Sequence, residues 1–174
     1  MEHDRHTRKK HRLSKFDYSS TGAYFVTICT SNRQQLFWSD AVGASIARPE
    51  DIVLSNYGNI VLDGIKRIPQ VYSTVSIDTF VIMPDHVHLL IRIHENGRPI
   101  LAPTIKNGDD DGRAMLAPTV GNIVRQFKGY VTKQIGHQIW QKSFYDHVIR
   151  NDGDYEETIK YIYENPLCWQ YKNK

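Results

Sequence analysis

At 174 residues the chain is long enough to bury a hydrophobic core and short enough to form one domain. With 24% charged and 40% hydrophobic residues it reads as an ordinary globular protein, and no apolar run approaches the roughly 20 residues of a membrane helix. Its basic N-terminus lacks the apolar stretch of a secretory signal, which points to the cytoplasm, and two cysteines, Cys29 and Cys168, are too few for a thiolate zinc site or a disulfide framework.

A net charge of +3 is mild, but it is unevenly spread. Through Lys15 the chain carries Arg5, Arg8, Lys9, Lys10, Arg12 and Lys15 against only Glu2 and Asp4. Such an arm, over residues 1–20, suits phosphate contacts as readily as it suits a solvated terminus. The segment Tyr24 to Cys29 is rich in aromatic and β-branched residues and reads as a strand, followed by a polar turn at Ser31-Asn32-Arg33. From Asp51 to Ile68 the apolar spacing is loosely helical, weakened by Gly58 and Gly64 and closed by Pro69. Strands are expected at Ser76 to Met83 and at His86 to Ile93, with a tight turn at Pro84-Asp85 between them.

Residues 96–119 differ from the rest: Gly97 to Thr104 nearly recurs as Gly112 to Thr119, around an Asn-Gly-Asp-Asp-Asp-Gly run. Two copies are too few for a repeat architecture, so a flexible insertion loop without chemistry is the expectation. A clear helical stripe follows in Val120, Ile123, Val124, Phe127, Val131 and Ile135, with Arg125, Lys128 and Lys133 on the other side. The stretch from Ile139 to Arg150 is strand-like, and a last helix is expected from Asp154 to Asn165, capped by Asn151 and its neighbours and stopped by Pro166.

Two places on this framework carry chemistry. Side chains at i and i+2 of a strand share a face, so His86 and His88 would project together from a strongly apolar strand. Two converging imidazoles can hold a divalent cation, and two surface histidines are the plainer alternative. On the last helix, residues 100° apart put Tyr155, Ile159 and Ile162 on a core side with Tyr163 at its edge. Tyr161 falls instead beside Asp154, Glu157 and Asn165. It reads either as a solvated tyrosine or as a nucleophile toward phosphorus, with the Asn165 amide completing a metal site begun by the histidines.

The segments Phe80 to Leu90 (FVIMPDHVHLL), Trp140-Gln141 through Tyr145 to Asn151, and Tyr161-Ile162-Tyr163-Glu164-Asn165-Pro166 together resemble the single-tyrosine HUH transposases, in particular the REP-associated tyrosine transposases of the IS200-like group. Thr21 to Thr27 followed by Asn32-Arg33 is similar as well. The resemblance covers most of the chain apart from the arm, residues 39–75 and the duplicated loop, which is longer than the family's pattern. It implies an α+β, ferredoxin-like antiparallel sheet with helices on one face, forming a single catalytic domain over residues 21–174. It further implies His86, His88 and Asn165 as ligands of Mg²⁺ or Mn²⁺, and Tyr161 as the catalytic residue. The activity implied is metal-dependent cleavage and rejoining of single-stranded DNA at hairpin or repeat elements through a 5′-phosphotyrosine, by a monomer or a homodimer, with no membrane partner. A transposase-derived DNA-binding protein without strand transfer is the alternative.

Overall fold

The computed structural model describes residues 21–39, 52–95 and 118–172; the basic arm and almost all of the duplicated loop lie outside the described residues. The described elements, in chain order, are β1 (Gly22–Cys29), a 3-10 turn (Ser31–Arg33), α1 (Asn56–Val71), β2 (Val75–Ile82), β3 (His86–Ile93), α2 (Val120–Ile135), β4 (Tyr145–Val148) and α3 (Asp152–Lys172). All strand pairings are antiparallel in the order β2-β3-β1-β4. This β-α-β-β-α-β succession, with β1 and β3 central, is the ferredoxin-like α+β arrangement.

Strand alternation divides the sheet into two faces. Tyr24, Val26 and Ile28 of β1 join Val87, Leu89, Ile91 and Ile93 of β3 in one core, which α1 and α2 cover through Val61, Ile65, Ile123, Val124 and Phe127. The other face carries Ala23 and Phe25 from β1, Leu90 from β3 and Val81 from β2, and α3 lies over it through Ile162 and Trp169. Helices on one face thus describes α1 and α2, and α3 is a third layer on the opposite face. This double cover explains why β3 is buried along nearly its whole length instead of alternating.

Local chemistry sets most boundaries. Ser55 caps α1 by accepting from the Gly58 amide at 3.1 Å, and Thr119 caps α2 by accepting from Asn122 at 3.2 Å. Gly136 closes α2 in a left-handed conformation, φ 89°. The two glycines that weakened the reading of α1 are points of close approach. A Cβ on Gly58 would lie 2.2 Å from the Phe37 carbonyl oxygen, and one on Gly64 would lie 3.0 Å from Phe127 and Val131.

Both prolines expected to end helices lie inside them. α1 runs two residues past Pro69, and α3 continues through Pro166 to Lys172. Proline removes one backbone donor and crowds the preceding turn, yet Pro166 is itself buried and Trp169 beyond it packs on the sheet. Tertiary packing on this face therefore outweighs the local preference to stop.

Candidate metal and nucleophile site

The turn that launches β3 is fastened at several points. The Pro84 carbonyl accepts from Leu36 and Phe37, and the Asp85 carbonyl accepts from both the amide and the hydroxyl of Thr30, each at 2.9 Å. His86 and His88 follow on the α3 side of the sheet, both buried at 7% and 3% exposure. The β1–β3 register pairs Thr27 with His88 and Cys29 with His86.

Each imidazole is held from behind. His86 Nδ1 lies 2.5 Å from Asp85 Oδ1, His88 Nδ1 lies 2.9 Å from Thr27 Oγ1, and the two Nε2 atoms face each other at 3.0 Å. Burial pushes the Asp85 carboxyl up, but its hydrogen bond to His86 and the charges of His86 and Arg33 outweigh that and hold it below the usual range. An ionised Asp85 accepts only, so His86 Nδ1 carries a proton, and a metal ion would take the Nε2 lone pair of the ring. Burial first, then the charges of His86 and Arg33, push His88 down to about 3, so it is neutral at pH 7. In the metal-free chain His88 Nε2–H can donate to His86 Nε2 while the Thr27 hydroxyl donates to His88 Nδ1. Reversing the Thr27 bond, with the proton on His88 Nδ1, leaves both Nε2 lone pairs aimed at one region. The set suits a divalent cation, with imidazoles oriented by a carboxylate and a hydroxyl.

α3 brings its aromatic residues against this pair. The Tyr161 ring meets His88 edge-on at 5.3 Å and Phe25 at 5.8 Å, while Phe25 stacks on His88 at 5.1 Å. Two turns later Trp169 lies 6.1 Å from His86. Asn165 is one turn after Tyr161 and one turn before Trp169, so helical spacing puts it on the same side of α3. Among the described residues no three His, Cys, Asp or Glu side chains gather into a metal cage, and the Asn165 amide is a further oxygen donor by its spacing on α3.

Tyr161 remains 51% exposed and borders an open groove with Phe25, Asp154, Glu157 and Thr158. Tyr163, placed by spacing toward the core, is 52% exposed instead. Among the described side chains of α3 the buried positions are Thr158, Ile162 and Pro166, a narrow stripe that leaves Tyr163 outside it.

Two ties fix the first turns of α3. Arg92 donates to Asp78 at 2.7 Å, the Tyr155 hydroxyl donates to the same carboxylate at 2.9 Å, and the Arg92 guanidinium lies over the Tyr155 ring at 5.0 Å. On the other edge His147 Nε2 meets the Asp154 carboxylate at 2.9 Å. By contrast α2 lies behind the sheet, where Lys128 donates to the carbonyls of Gln141 and Ser143. The cations of α2 therefore do not border this site. Sequence reading named the two histidines, Tyr161 and Asn165, and it missed Thr27, Phe25, Asp85 and Trp169. Thr27 and Phe25 enter only through strand register, and Trp169 lies beyond the proline where the helix was expected to stop.

A ferredoxin-like α+β sheet with a buried histidine pair and a tyrosine-bearing helix across its open face is the class of architecture defined here. No model of a known protein family matches the chain. An uncharacterised Haemophilus influenzae protein is 35% identical over 95% of this chain and 91% of its own length. A second protein of that organism, provisionally named a REP-associated tyrosine transposase, is 28% identical over 87% of this chain and 73% of its own length. The Escherichia coli REP-associated tyrosine transposase is 32% identical over 52% of this chain and 44% of its own. Among solved structures, a REP-associated tyrosine transposase bound to a REP hairpin matches with a TM-score of 0.58 at 23% identity, over 90% of this chain and 73% of that one, a likeness of fold. The resemblance to REP-associated tyrosine transposases read from the sequence is borne out by two proteins of that name, at 28% and 32% identity. No described helix is long and apolar enough to cross a membrane.

Proposed function

We propose that this chain is a metal-dependent transposase and endonuclease that cuts and rejoins single-stranded DNA at hairpin or repeat elements. The observation that carries the reading is the Tyr161 ring against His88, beside two Nε2 atoms 3.0 Å apart. A hairpin as partner is supported by the fold relative bound to one.

Two imidazole nitrogens and the Asn165 amide oxygen would hold Mn²⁺ or Mg²⁺, the nitrogen donors favouring manganese. Once bound, such a cation supplies Lewis-acid polarisation of a phosphodiester oxygen. The chain's own residues do the rest. Asp85 and Thr27 hold the imidazoles in orientation, and α3, tied at Tyr155 and Asp154, carries Tyr161 to the same face. The Tyr161 Oη attacks phosphorus, its proton passes to solvent, and a P–O3′ bond breaks with the electron pair leaving on O3′, which takes up a proton. The product is a 5′-phosphotyrosine and a free 3′-hydroxyl. A later attack by a 3′-hydroxyl reverses the step, so the phosphodiester energy is conserved without ATP. One chain supplies every named residue, so the reading needs no second copy.

The test is a denaturing gel after incubation with a randomised pool of hairpin-bearing single strands and Mn²⁺. Wild type should give a covalent protein–DNA adduct, and Tyr161→Phe should give none while still shifting DNA on a native gel. A native shift without any wild-type adduct would identify a transposase-derived DNA-binding protein instead. Loss of the adduct with Tyr163→Phe, and not with Tyr161→Phe, would move the nucleophile.

A further inference from the structure

The 3-10 turn after β1 contains two consecutive non-glycine residues in the left-handed region, Asn32 at φ 54° and Arg33 at φ 55°. Asparagine tolerates that region, whereas for arginine it costs about 1 kcal/mol or more. The conformation is over-determined by its surroundings. Ser31 N donates to the Ile139 carbonyl at 2.7 Å, the single Thr30 hydroxyl proton lies between the Gln34 and Asp85 carbonyls at 2.8 and 2.9 Å, and Thr30 N donates to the Asp85 carbonyl at 2.9 Å. Strain maintained in this way concentrates at functional sites.

The result of the strain is the position of one guanidinium. Arg33 Nη1 lies 3.5 Å from Asp85 Oδ2, and the other oxygen of that carboxylate holds His86. Asp85 is buried, with 6% of its side chain exposed, whereas 52% of the Arg33 side chain is exposed. A single contact at 3.5 Å on a half-exposed arginine adds little stability, so it does not account for the strained turn. A half-exposed positive charge close enough to act on both Asp85 and His88 does, if the group arriving at the histidine pair is an anion. The planar fork of donors matches two oxygens of a phosphodiester, and attack on phosphorus concentrates charge on those oxygens.

We propose that Arg33 grips the non-bridging oxygens of the scissile phosphodiester and stabilises their charge while the Tyr161 Oη–P bond forms and the P–O3′ bond breaks. This rests on the phosphotyrosine reading above. Its electron balance is unchanged: the tyrosyl proton leaves to solvent and the departing O3′ takes one up.

The experiment uses the oligonucleotide recovered from the wild-type adduct, made with either a normal phosphodiester or an uncharged methylphosphonate at the cleavage position. Under single-turnover conditions with Mn²⁺, Arg33→Ala should slow adduct formation on the phosphodiester by about 10²- to 10³-fold. On the methylphosphonate the same variant should slow it by less than about tenfold, because the charge the guanidinium answers is absent. Arg33→Lys should fall between, keeping the charge and losing the fork. Equal slowing on both substrates would make Arg33 structural and overturn the proposal. Arg33→Gly separates the two roles again: relief of the left-handed strain should leave the melting temperature at or above wild type while cleavage falls as in Arg33→Ala. A drop in melting temperature with unchanged cleavage would equally overturn it. If wild type forms no adduct at all, the phosphotyrosine reading itself fails and takes this inference with it.

Discussion

Thr27 and Asp85 act on the site without facing it: each fixes the outer nitrogen of one imidazole and so decides which lone pairs are turned inward. Thr27→Val keeps the shape of the strand but leaves His88 Nδ1 without its hydroxyl. Mn²⁺ affinity, followed by calorimetric titration, should fall about 10- to 100-fold, and an unchanged affinity would remove Thr27 from the site. The metal-free chain should also lose stability on mild acidification. His88 is held at about 3 when folded, against an ordinary value of 6.5, so between those values the unfolded chain takes up a proton that the folded chain refuses. This contribution is complete above about pH 6.5 and is lost as pH falls toward about 3, with a slope of at most about 1.4 kcal/mol per pH unit. Asp85 acts in the same direction only below about its ordinary 3.8, since its folded value is depressed, which leaves the range above that to His88. Urea midpoints measured between pH 7 and about pH 4.5 should therefore fall, and should fall less in His88→Gln.

At the scale of the element, α3 is the part on whose placement the proposed chemistry depends. Its contact with the sheet is one narrow apolar stripe, so polar ties at the two edges set its rotation and tilt. Tyr155→Phe removes the hydroxyl donated to Asp78 and keeps the ring under Arg92. It should cost about 1 kcal/mol of stability and lower the rate of adduct formation more than it lowers DNA affinity. Equal effects on rate and affinity would mean that the tie does not position Tyr161. α3 also marks where local rules stop being sufficient. Its start was legible from Asn151, whose side chain accepts from the Asp154 amide at 2.9 Å, but its end was not. Proline ends helices when nothing compensates for the lost donor and the crowding, and here the buried Pro166 and the Trp169 contact with His86 keep the helix going.

Across the whole molecule, a three-layer order emerges from one sheet buried on both sides. A tight joint among its packed pieces is where Gly58 of α1 meets the carbonyl of Phe37, whose amide donates to the Pro84 carbonyl in the turn before His86. Gly58→Ala would force that backbone apart, because a Cβ would stand 2.2 Å from the oxygen. The expected loss is about 1–3 kcal/mol by chemical denaturation; a neutral substitution would show that the segment before α1 yields easily. The sequence alone was enough for β1, β3 and α2, because their apolar periods are strong and their caps are local. It also placed His86 with His88, since alternation along a strand is a fixed geometric property. It could not reveal that α3 crosses the opposite face from α1 and α2, or that Thr27, Phe25, Trp169 and Arg33 surround the pair. Those neighbours come from strand register, from packing that overrides a proline, and from a strained turn. All three are decided by contacts between residues far apart in the chain, which no local pattern encodes.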